Sequence, residues 1–389
     1  MKILWIEHGQ YITVGVAKVI EFAEAVVRKG NRVTFVLTSK TNRLRTQSFT
    51  RNGVDYCLSP SLMWGKWRHG ADPWDAFRRT LYIRNCDADV IFAGDSRPSV
   101  ILPSLYYRWR SGAPLVLQWA DLYSDGGTIT ERSSKLYQHT LGHVESFFEN
   151  GFRLQTDGAR VVSSRLADRI GLMGYPPDRT LLLPNGCVID RSKITNKQAA
   201  KNKVGWHQNK IYVGHLGRIY PRDYDLISRA FRIVASDRDD LQLVFVGDVK
   251  RPLDHEDNHI IYTGRVDDSA YRDYCNAMDI FVLPLCMNVA NMARWPSKIG
   301  DYLSYAKPVI ATPVSDVPQI YRTKPVGILS DSDSVVDYAA ALASALEQQA
   351  MWDEWGANAL DYAEKYLDWN ILADQLLCFF EHILSQTPR

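Results

Sequence analysis

Short runs of apolar residues alternate with amphipathic stretches along most of this chain. In the first half, the strand-like runs lie at residues 2–6, 32–37, 89–94, 114–119, 159–164 and 180–185. Residues 16–29 and 99–110, between these runs, place apolar side chains at helical spacing. Apolar runs of strand length separated by amphipathic helices predict βα units around a parallel sheet.

A polar, lysine-rich segment at residues 187–210 interrupts this alternation. A second series of strand-like runs follows, at residues 211–217, 241–247, 259–264, 279–285 and 308–312. The chain has 389 residues, which is more than one hydrophobic core usually organises. We therefore predict an α/β fold with two doubly wound, Rossmann-like domains, at residues 1–190 and 191–365.

Composition narrows the class of protein. The formal net charge of +2 gives no overall electrostatic argument for nucleic-acid binding. The six cysteines lack the paired spacing of metal sites, which indicates reduced thiols and a cytoplasmic location. A strand starts at residue 2 without the features of a signal peptide, and no apolar run reaches the ~18 residues of a membrane span. We expect neither export nor a transmembrane helix.

Residues 293–312 form the strongest candidate site. Pro296 suits the first turn of a helix, where Ser297 and Lys298 add polar groups beside unpaired backbone N–H groups. Asp301 follows Lys298 by nearly one helical turn and so lies on almost the same face. An anion held by N–H groups and a lysine, beside a carboxylate that can bind a ribose diol, suits a nucleoside diphosphate.

Arg218 and Arg222 follow the strand-like run that ends at Gly217. Two guanidinium groups there could clamp a diphosphate and neutralise the charge of a leaving group. The alternative is a pair of surface arginines that form ion pairs with Asp223 or Asp225.

Other strand ends carry weaker signals. Asp121 follows the fourth strand, where it could meet a substrate hydroxyl or simply cap a loop. Gly15 enters the first long helix, either as a phosphate-binding turn or as an ordinary one. His8 is interpreted as a hydrogen-bonded structural residue rather than a catalyst. The turn at Arg265 and Val266 could place its backbone against a base.

Aromatic and basic residues gather between residues 61 and 84, including Trp64 and Trp67. Aromatic rings beside cations could stack on sugars or meet a lipid-linked anionic acceptor at a membrane face. Ordinary packing of tryptophan rings, with solvated arginines around them, is the alternative.

Several motifs then occur in one order along the chain. They are Gly15 at the first helix, RKGNRVTFV from residue 28, PNGCVID from 184, GR at 217, VFVGD from 244, TGRV from 263 and DYLSYAKPVIAT from 301. In this order the chain resembles glycosyltransferase family four, whose members are retaining enzymes of the GT-B fold. The resemblance implies two domains facing across a cleft, with residues 366–389 forming a final helix that packs back on the first domain.

The resemblance also assigns residues. The family's diphosphate-binding arginine matches Arg218, and Arg222 stands in for the lysine because this loop is one residue shorter. Asp301 takes the place of the glutamate that binds ribose. The glutamate that reads the donor sugar falls on Ala293, so that carboxylate is lost.

The resemblance leaves three nearby residues that could replace that carboxylate: Asn288, Asn291 and Arg294. The histidine usual after the fourth strand falls on Trp119 or Ala120.

The implied reaction is transfer of a hexose from a nucleoside diphosphate sugar, such as UDP-glucose, to a hydroxyl of a glycan or lipid-linked acceptor. Exopolysaccharide or cell-surface glycan synthesis is the expected setting, with a peripheral contact at the inner face of the membrane left open. Retention is implied, with the leaving phosphate assisting deprotonation and Asp121 orienting sugar or acceptor. In an inverting enzyme Asp121 would be the general base.

We expect no metal and no other cofactor. The acidic patterns at residues 87–89 and 331–333 resemble a metal-binding motif but are interpreted as caps and loop starts. Two other functions stay open. One is a nucleotide-sugar epimerase of similar fold, and the other is a sugar-nucleotide-binding protein without catalytic activity.

Overall fold

The computed structural model describes residues 1–11, 14–63, 70–132, 134–249 and 257–387. The chain divides into two compact units. The first unit comprises Met1–Gly186, Ala293–Trp295 and Trp369–Arg389, and the second comprises Cys187–Met292 and Pro296–Asp368. The first unit thus ends at residue 186 rather than 190, and the chain returns to it at 369 rather than 366. Residues 366–368 stay with the second unit because Tyr366 ends a helix there and Asp368 pairs with Cys187.

The strands are β1 (Lys2–Gln10), β2 (Arg32–Thr38), β3 (Gln47–Arg51), β4 (Val54–Ser59), β5 (Val90–Ala93), β6 (Leu115–Trp119), β7 (Gly158–Val161), β8 (Thr180–Leu182), β9 (Ile211–Leu216), β10 (Leu241–Val246), β11 (Ile260–Gly264), β12 (Ile280–Leu283), β13 (Val309–Ala311) and β14 (Gly327–Leu329).

The α-helices are α1 (Val14–Arg28), α2 (Pro73–Ile83), α3 (Pro98–Ser111), α4 (Lys135–His139), α5 (Leu141–Gly151), α6 (Ser164–Leu172), α7 (Lys197–Lys203), α8 (Pro221–Ala235), α9 (Asp268–Ala277), α10 (Val289–Ala293), α11 (Lys298–Ser304), α12 (Val317–Thr323), α13 (Val335–Glu347), α14 (Trp352–Tyr366) and α15 (Trp369–Gln386).

The first unit contains an eight-stranded sheet in the order β3-β4-β2-β1-β5-β6-β7-β8. Its strand pairs are parallel except for β3 and β4, which pair antiparallel. Neither strand of this pair was among the predicted strands. Every residue of β3 is exposed and its sequence shows no apolar run, whereas β4 is largely buried and was missed although most of its side chains are in the core. The strand order reverses between β1 and β5, so the segments that follow these two strands diverge.

Aromatic packing builds the core of the first unit. Trp5 of β1 is fully buried, and the centroid of its ring lies 5.5 Å from that of Phe22, 5.4 Å from Phe35 and 4.6 Å from Phe92. Burial of such large rings is a main source of stability in a sheet covered by helices.

The second unit contains a parallel six-stranded sheet in the order β11-β10-β9-β12-β13-β14. Helices α8 and α13 pack on one another, and their apolar side chains share a core with β9, β10 and β12. Here the strand order reverses between β9 and β12. Both sheets therefore have the doubly wound arrangement that the alternating pattern predicts.

The last helix, α15, packs on α1 within the first unit. The ring of Trp369 stacks on Phe22 with centroids 4.7 Å apart, and Phe380 lies 5.5 Å from Phe92. The indole N–H of Trp369 donates to Glu21 at 3.2 Å. Among the described residues, no helix combines the length and apolar content that crossing a bilayer requires.

Candidate active site

Glycines lie at the carboxyl ends of three neighbouring strands of the second sheet. Gly217 and Gly247 follow β9 and β10, Gly264 ends β11, and their φ angles are 74°, 129° and 66°. A Cβ atom on Gly247 would lie 2.9 Å from the Cα of Gly217, so this close approach requires glycine. The N–H of Gly217 donates to the carbonyl of Val246 at 2.6 Å. Peptide groups without side chains therefore line this edge, where a ligand can approach them closely.

Lys298 lies where the order of this sheet reverses. The segment after β9 carries Arg218, and the segment after β12 leads to Lys298 at the start of α11. The Lys298 ammonium donates to the carbonyl oxygen of Arg218, and its Nζ lies 3.2 Å from Nε2 of His215. Diverging loops at such a reversal form the crevice where open α/β sheets bind ligands. The structure thus brings together Gly217, Arg218 and Lys298, three residues singled out in the sequence.

His215, which the sequence did not single out, is buried beneath Lys298. Burial lowers the pKa of His215 well below its ordinary value, and the charge of Lys298 lowers it further. The ring is therefore neutral at pH 7, and its Nε2 accepts from Lys298 when Nδ1 carries the proton. Burial also lowers the pKa of Lys298 to about 8, although the carboxylates of Asp223 and Asp301 oppose this change.

Arg218 and Arg222 are exposed at the same edge, the second of them in the first turn of α8. Asp225 lies 3.4 Å from Arg229, and Asp223 is buried and accepts the backbone N–H of Cys286 at 3.0 Å.

The other residues of this unit that were predicted to bind the sugar donor lie around the carboxyl edge of the second sheet. Asp301 is in the first turn of α11, and Ser297 directly precedes that helix. Val266 follows β11, next to Arg265. The guanidinium of Arg265 is exposed and lies 3.2 Å from a carboxylate oxygen of Asp248.

Asn291 is buried, and its side chain holds the loop between β12 and α11. Its Nδ2 donates to the carbonyl of Cys286 at 2.8 Å, and its backbone N–H donates to Oδ1 of Asn288 at 2.8 Å. Both amides thus fix the segment that leads to Lys298. A direct contact between Asn291 and a donor sugar stays a prediction.

Residues 293–295 belong to the first unit. Ala293 is fully buried, and its carbonyl oxygen accepts from the Ser163 hydroxyl at 2.5 Å. Nε of Arg294 lies 3.3 Å from Oδ1 of Asp121, and its Nη2 lies 3.8 Å from Glu131. This ion pair engages Asp121, and both roles given to that carboxylate stay predictions.

A second polar cluster lies at the carboxyl edge of the first sheet, between β1 and β5. Nδ1 of His8 is 2.6 Å from Oδ2 of Asp95, and Nε of Arg97 is 3.1 Å from the same oxygen. The sequence did not indicate this cluster, because His8 and Asp95 are far apart in the chain. The adjacency of β1 and β5, which would reveal it, cannot be read from the apolar pattern alone.

The remaining predicted residues lie away from the carboxyl edge of the second sheet or outside the described part of the chain. Gly15 lies in the first turn of α1, whereas Trp64 and Trp67 lie outside the described residues. In the two acidic patterns, Asp87 pairs with Lys2, and Asp333 accepts the backbone N–H of Met287 at 2.7 Å.

Two family models match the chain. The model described as Glycosyltransferase Family 4 matches residues 15–191, and the model described as Glycosyl transferases group 1 matches residues 210–348. A curated relative from Bacillus subtilis (strain 168) has the name "Putative teichuronic acid biosynthesis glycosyltransferase TuaH". It is 26% identical over 189 residues, which are 47% of this chain and 46% of that protein's own length.

Similar solved structures cover nearly the whole chain. Sucrose-phosphate synthase from Thermosynechococcus elongatus has a TM-score of 0.72 at 14% identity and covers 99% of this chain and 100% of its own. Anabaena HepE in complex with UDP-glucose has a TM-score of 0.66 at 16% identity, over 99% of this chain and 100% of its own. WaaG, described as a glycosyltransferase involved in lipopolysaccharide biosynthesis, has a TM-score of 0.68 at 14% identity, over 96% and 98%. The predicted GT-B class of two α/β domains is confirmed.

Proposed function

Because this chain belongs to glycosyltransferase family four, we propose that it transfers a hexose from a nucleoside diphosphate sugar to a hydroxyl of a glycan or lipid-linked acceptor. The observation that carries this proposal is the carboxyl edge of the second sheet. There the Lys298 ammonium is held over the carbonyl of Arg218, beside the glycine-lined backbone. A cation above accessible peptide groups suits a diphosphate.

The donor is best described as a UDP-hexose such as UDP-glucose. Arg218, Arg222 and Lys298 would stabilise the charge on the departing diphosphate, which is the main electrostatic task of this reaction. Asp301 would bind the ribose hydroxyls. HepE, a protein of similar fold, has been solved in complex with UDP-glucose, which supports this choice of donor.

The first unit would bind the acceptor. Arg294 occupies the position beside the missing sugar-reading carboxylate, and its ion pair with Asp121 joins the two groups proposed to orient sugar and acceptor. Leu62 and Phe77 are exposed on this unit, and the guanidinium of Arg78 lies 5.5 Å from the ring centroid of Trp74. Apolar side chains beside cations suit a peripheral contact with an anionic membrane face. A cytoplasmic enzyme acting on a lipid-linked acceptor would need such a contact.

A transfer assay tests the proposed function. Purified protein incubated with radiolabelled UDP-glucose and a panel of lipid-linked and oligosaccharide acceptors should give labelled product. Because fixed cations carry the charge of the diphosphate, the rate should be unchanged by EDTA. Isomerised donor would identify an epimerase, and bound UDP without turnover would identify a non-catalytic binding protein. Either result would overturn the proposal.

The same product reveals the stereochemistry. We propose retention, so proton NMR of fresh product from an α-linked donor should show an α-linked sugar. A β-linked product would overturn retention while leaving the transferase function intact.

The low pKa of Lys298 predicts that donor binding depends on pH. The diphosphate binds the charged ammonium, whose pKa in the free protein is about 8. As pH rises above that value the lysine loses its charge, and UDP affinity should fall by up to about tenfold per pH unit. UDP itself stays fully ionised over this range, because the second pKa of a phosphate is about 6. Calorimetric titration with UDP from about pH 7 upward measures the effect.

Lys307 provides the matched control. Burial lowers the pKa of Lys307 to about 8 as well, but it precedes β13 at the opposite edge of the sheet, where its Nζ donates to the carbonyl of Asn276 at 3.0 Å. K307M should keep the pH dependence of UDP binding, and K298M should lose it. The reverse pattern would exclude Lys298 as the titrating group.

A further inference from the structure

A polar cavity lies at the amino edge of the second sheet, opposite the glycine-lined edge. Lys210, Asp240 and Asp279 directly precede the adjacent strands β9, β10 and β12, and all three line this cavity. Helix α7 and the start of α14 complete its wall, so it lies entirely within the second unit. Its volume of about 440 Å³ is within the usual range of pockets that bind small molecules.

One buried carboxylate holds two lysines of α7 at this cavity. Nζ of Lys197 lies 2.7 Å from Oδ1 of Asp279, and Nζ of Lys201 lies 2.8 Å from Oδ2. The same Oδ2 accepts the backbone N–H of Tyr212 at 2.9 Å. The side chains of Lys201 and Asp279 are only 4% and 3% exposed. A single negative charge therefore faces two ammonium groups where little water can screen them.

The other carboxylates on the wall do not balance its lysines. Asp240 is bound by its neighbour Arg238, whose Nε and Nη2 donate to its two oxygens at 3.0 and 2.6 Å. Its charge is therefore already matched by a guanidinium. Among the described residues that line the cavity, Asp279 and Asp353 are then left to balance three lysines, the third of which is Lys210.

Lys307 adds a further positive charge close to this wall. It precedes β13, the strand beside β12. Burial lowers the pKa of Lys307 to about 8, and the charges of Lys197 and Lys201 lower it further, whereas the carboxylates of Asp279 and Asp353 oppose the change. Lys307 therefore responds to the charges around the cavity, and an anion bound there would raise its pKa.

The lysines of α7 also keep N–H groups for a ligand. An ammonium has three N–H donors. Within the described part of the chain, Lys201 uses one on Asp279 and one on the carbonyl of Lys210 at 2.8 Å, and Lys197 uses one on Asp279. Hydrogen bonds from ammonium groups to phosphate oxygens are among the strongest in proteins. We propose that this cavity is a second anion-binding site, which takes the phosphate group of a small phosphorylated molecule.

A purely structural role for these ion pairs makes a different prediction. Lys197 and Lys201 connect α7 to the residue that precedes β12, so they could serve only to fix that helix on the sheet. In that case loss of Lys197 would lower stability, and phosphate would not bind at the cavity. Ligand binding, measured separately from folding, therefore distinguishes the two roles.

The test is calorimetric titration of the full chain with inorganic phosphate and with ribose 5-phosphate. K197M should weaken the binding of both about tenfold or more, the effect of losing a hydrogen bond from a charged group. The matched control is K203M, which changes a lysine of the same helix that is 62% exposed and lies 2.7 Å from Asp273, and its affinity should equal that of the wild type. K210M changes another lysine of the wall and replaces K197M if that variant does not fold.

Proton uptake gives a second measurement. At pH 8 the binding of phosphate should take up about half a proton as Lys307 becomes fully charged, because its pKa in the free protein is about 8. The phosphate itself takes up little, since its second pKa is about 6. Titrations in buffers of different ionisation enthalpy measure the uptake. They use K298M, which keeps the cavity but lacks the titrating lysine of the donor edge, and the K298M/K307M double variant should take up no proton.

Each alternative gives a distinct result. Loss of phosphate binding in K298M together with unchanged binding in K197M would place the anion at the donor edge only and overturn the proposal. Equal affinities in K197M and K203M, no binding at millimolar phosphate or ribose 5-phosphate, or no proton uptake would also overturn it. Binding of ribose as tight as that of ribose 5-phosphate would exclude the phosphate as the recognised group. None of these measurements depends on turnover, so the proposed transferase function is tested separately.

Discussion

K298M should lower kcat/KM for the donor by about 10²–10³-fold, as removal of a fixed group that stabilises transition-state charge usually does. The ammonium is held at two points, by the carbonyl of Arg218 and by Nε2 of His215. It is therefore in place before the diphosphate departs and needs no reorganisation. Steady-state kinetics with varied donor measures the loss, which should lie largely in kcat if the charge develops in the transition state.

The control for this prediction is again K307M, which removes a buried ammonium at the other edge of the sheet. Its kcat/KM should stay close to that of the wild type once the folded fraction is taken into account. A K298M enzyme with wild-type kinetics would exclude Lys298 from the diphosphate site.

R79M should lower the free energy of unfolding of the first unit by about 3–5 kcal/mol, the cost of leaving one charge of a buried ion pair alone. The Arg79 guanidinium is fully buried and makes three hydrogen bonds, each 2.7 Å long, to Asp75, the carbonyl of Glu7 and the hydroxyl of Thr38. Without it the carboxylate of Asp75, which is also buried, keeps one side-chain partner within the described part of the chain, the hydroxyl of Thr38 at 3.0 Å. Urea unfolding followed by tryptophan fluorescence measures the loss.

R238M is the matched control, because it breaks an Arg–Asp pair that is partly open to solvent. Arg238 lies 2.6 Å from Asp240, with about a third of its side chain exposed. Such solvent-exposed pairs contribute only about 0–1 kcal/mol to the free energy of unfolding, so R238M should lose no more than that. Equal losses in R79M and R238M would show that burial does not set the strength of these pairs.

The sequence predicted most of the fold because its strands are apolar and its helices amphipathic. The runs at 2–6 and 241–247 became β1 and β10, whose residues are largely buried. The exposed strand β3 has no such signal, and it was missed for that reason. A period-two pattern appears only where a sheet buries one of its faces.

The sequence likewise revealed some residues of the candidate site and not others. Lys298 and Asp301 were found because a helix start fixes their relation within a few residues. His215 and Lys298 are 83 residues apart, and they meet only because β9 and β12 are neighbours in the sheet. Arg294 and Asp121 likewise pair across a long stretch of chain. Contacts of this kind depend on strand order, which local sequence patterns do not encode.

The return of α15 to the first unit affects how the protein is made. The core of that unit includes Leu372, Leu376, Phe380 and Ile383, which leave the ribosome after the second unit. The second unit, whose last segment ends at Asp368, is synthesised completely before these residues emerge. Part of the core of the first unit therefore stays uncovered until the whole second unit has been synthesised. The unit whose synthesis starts earlier can thus complete its core only after the other unit has been made.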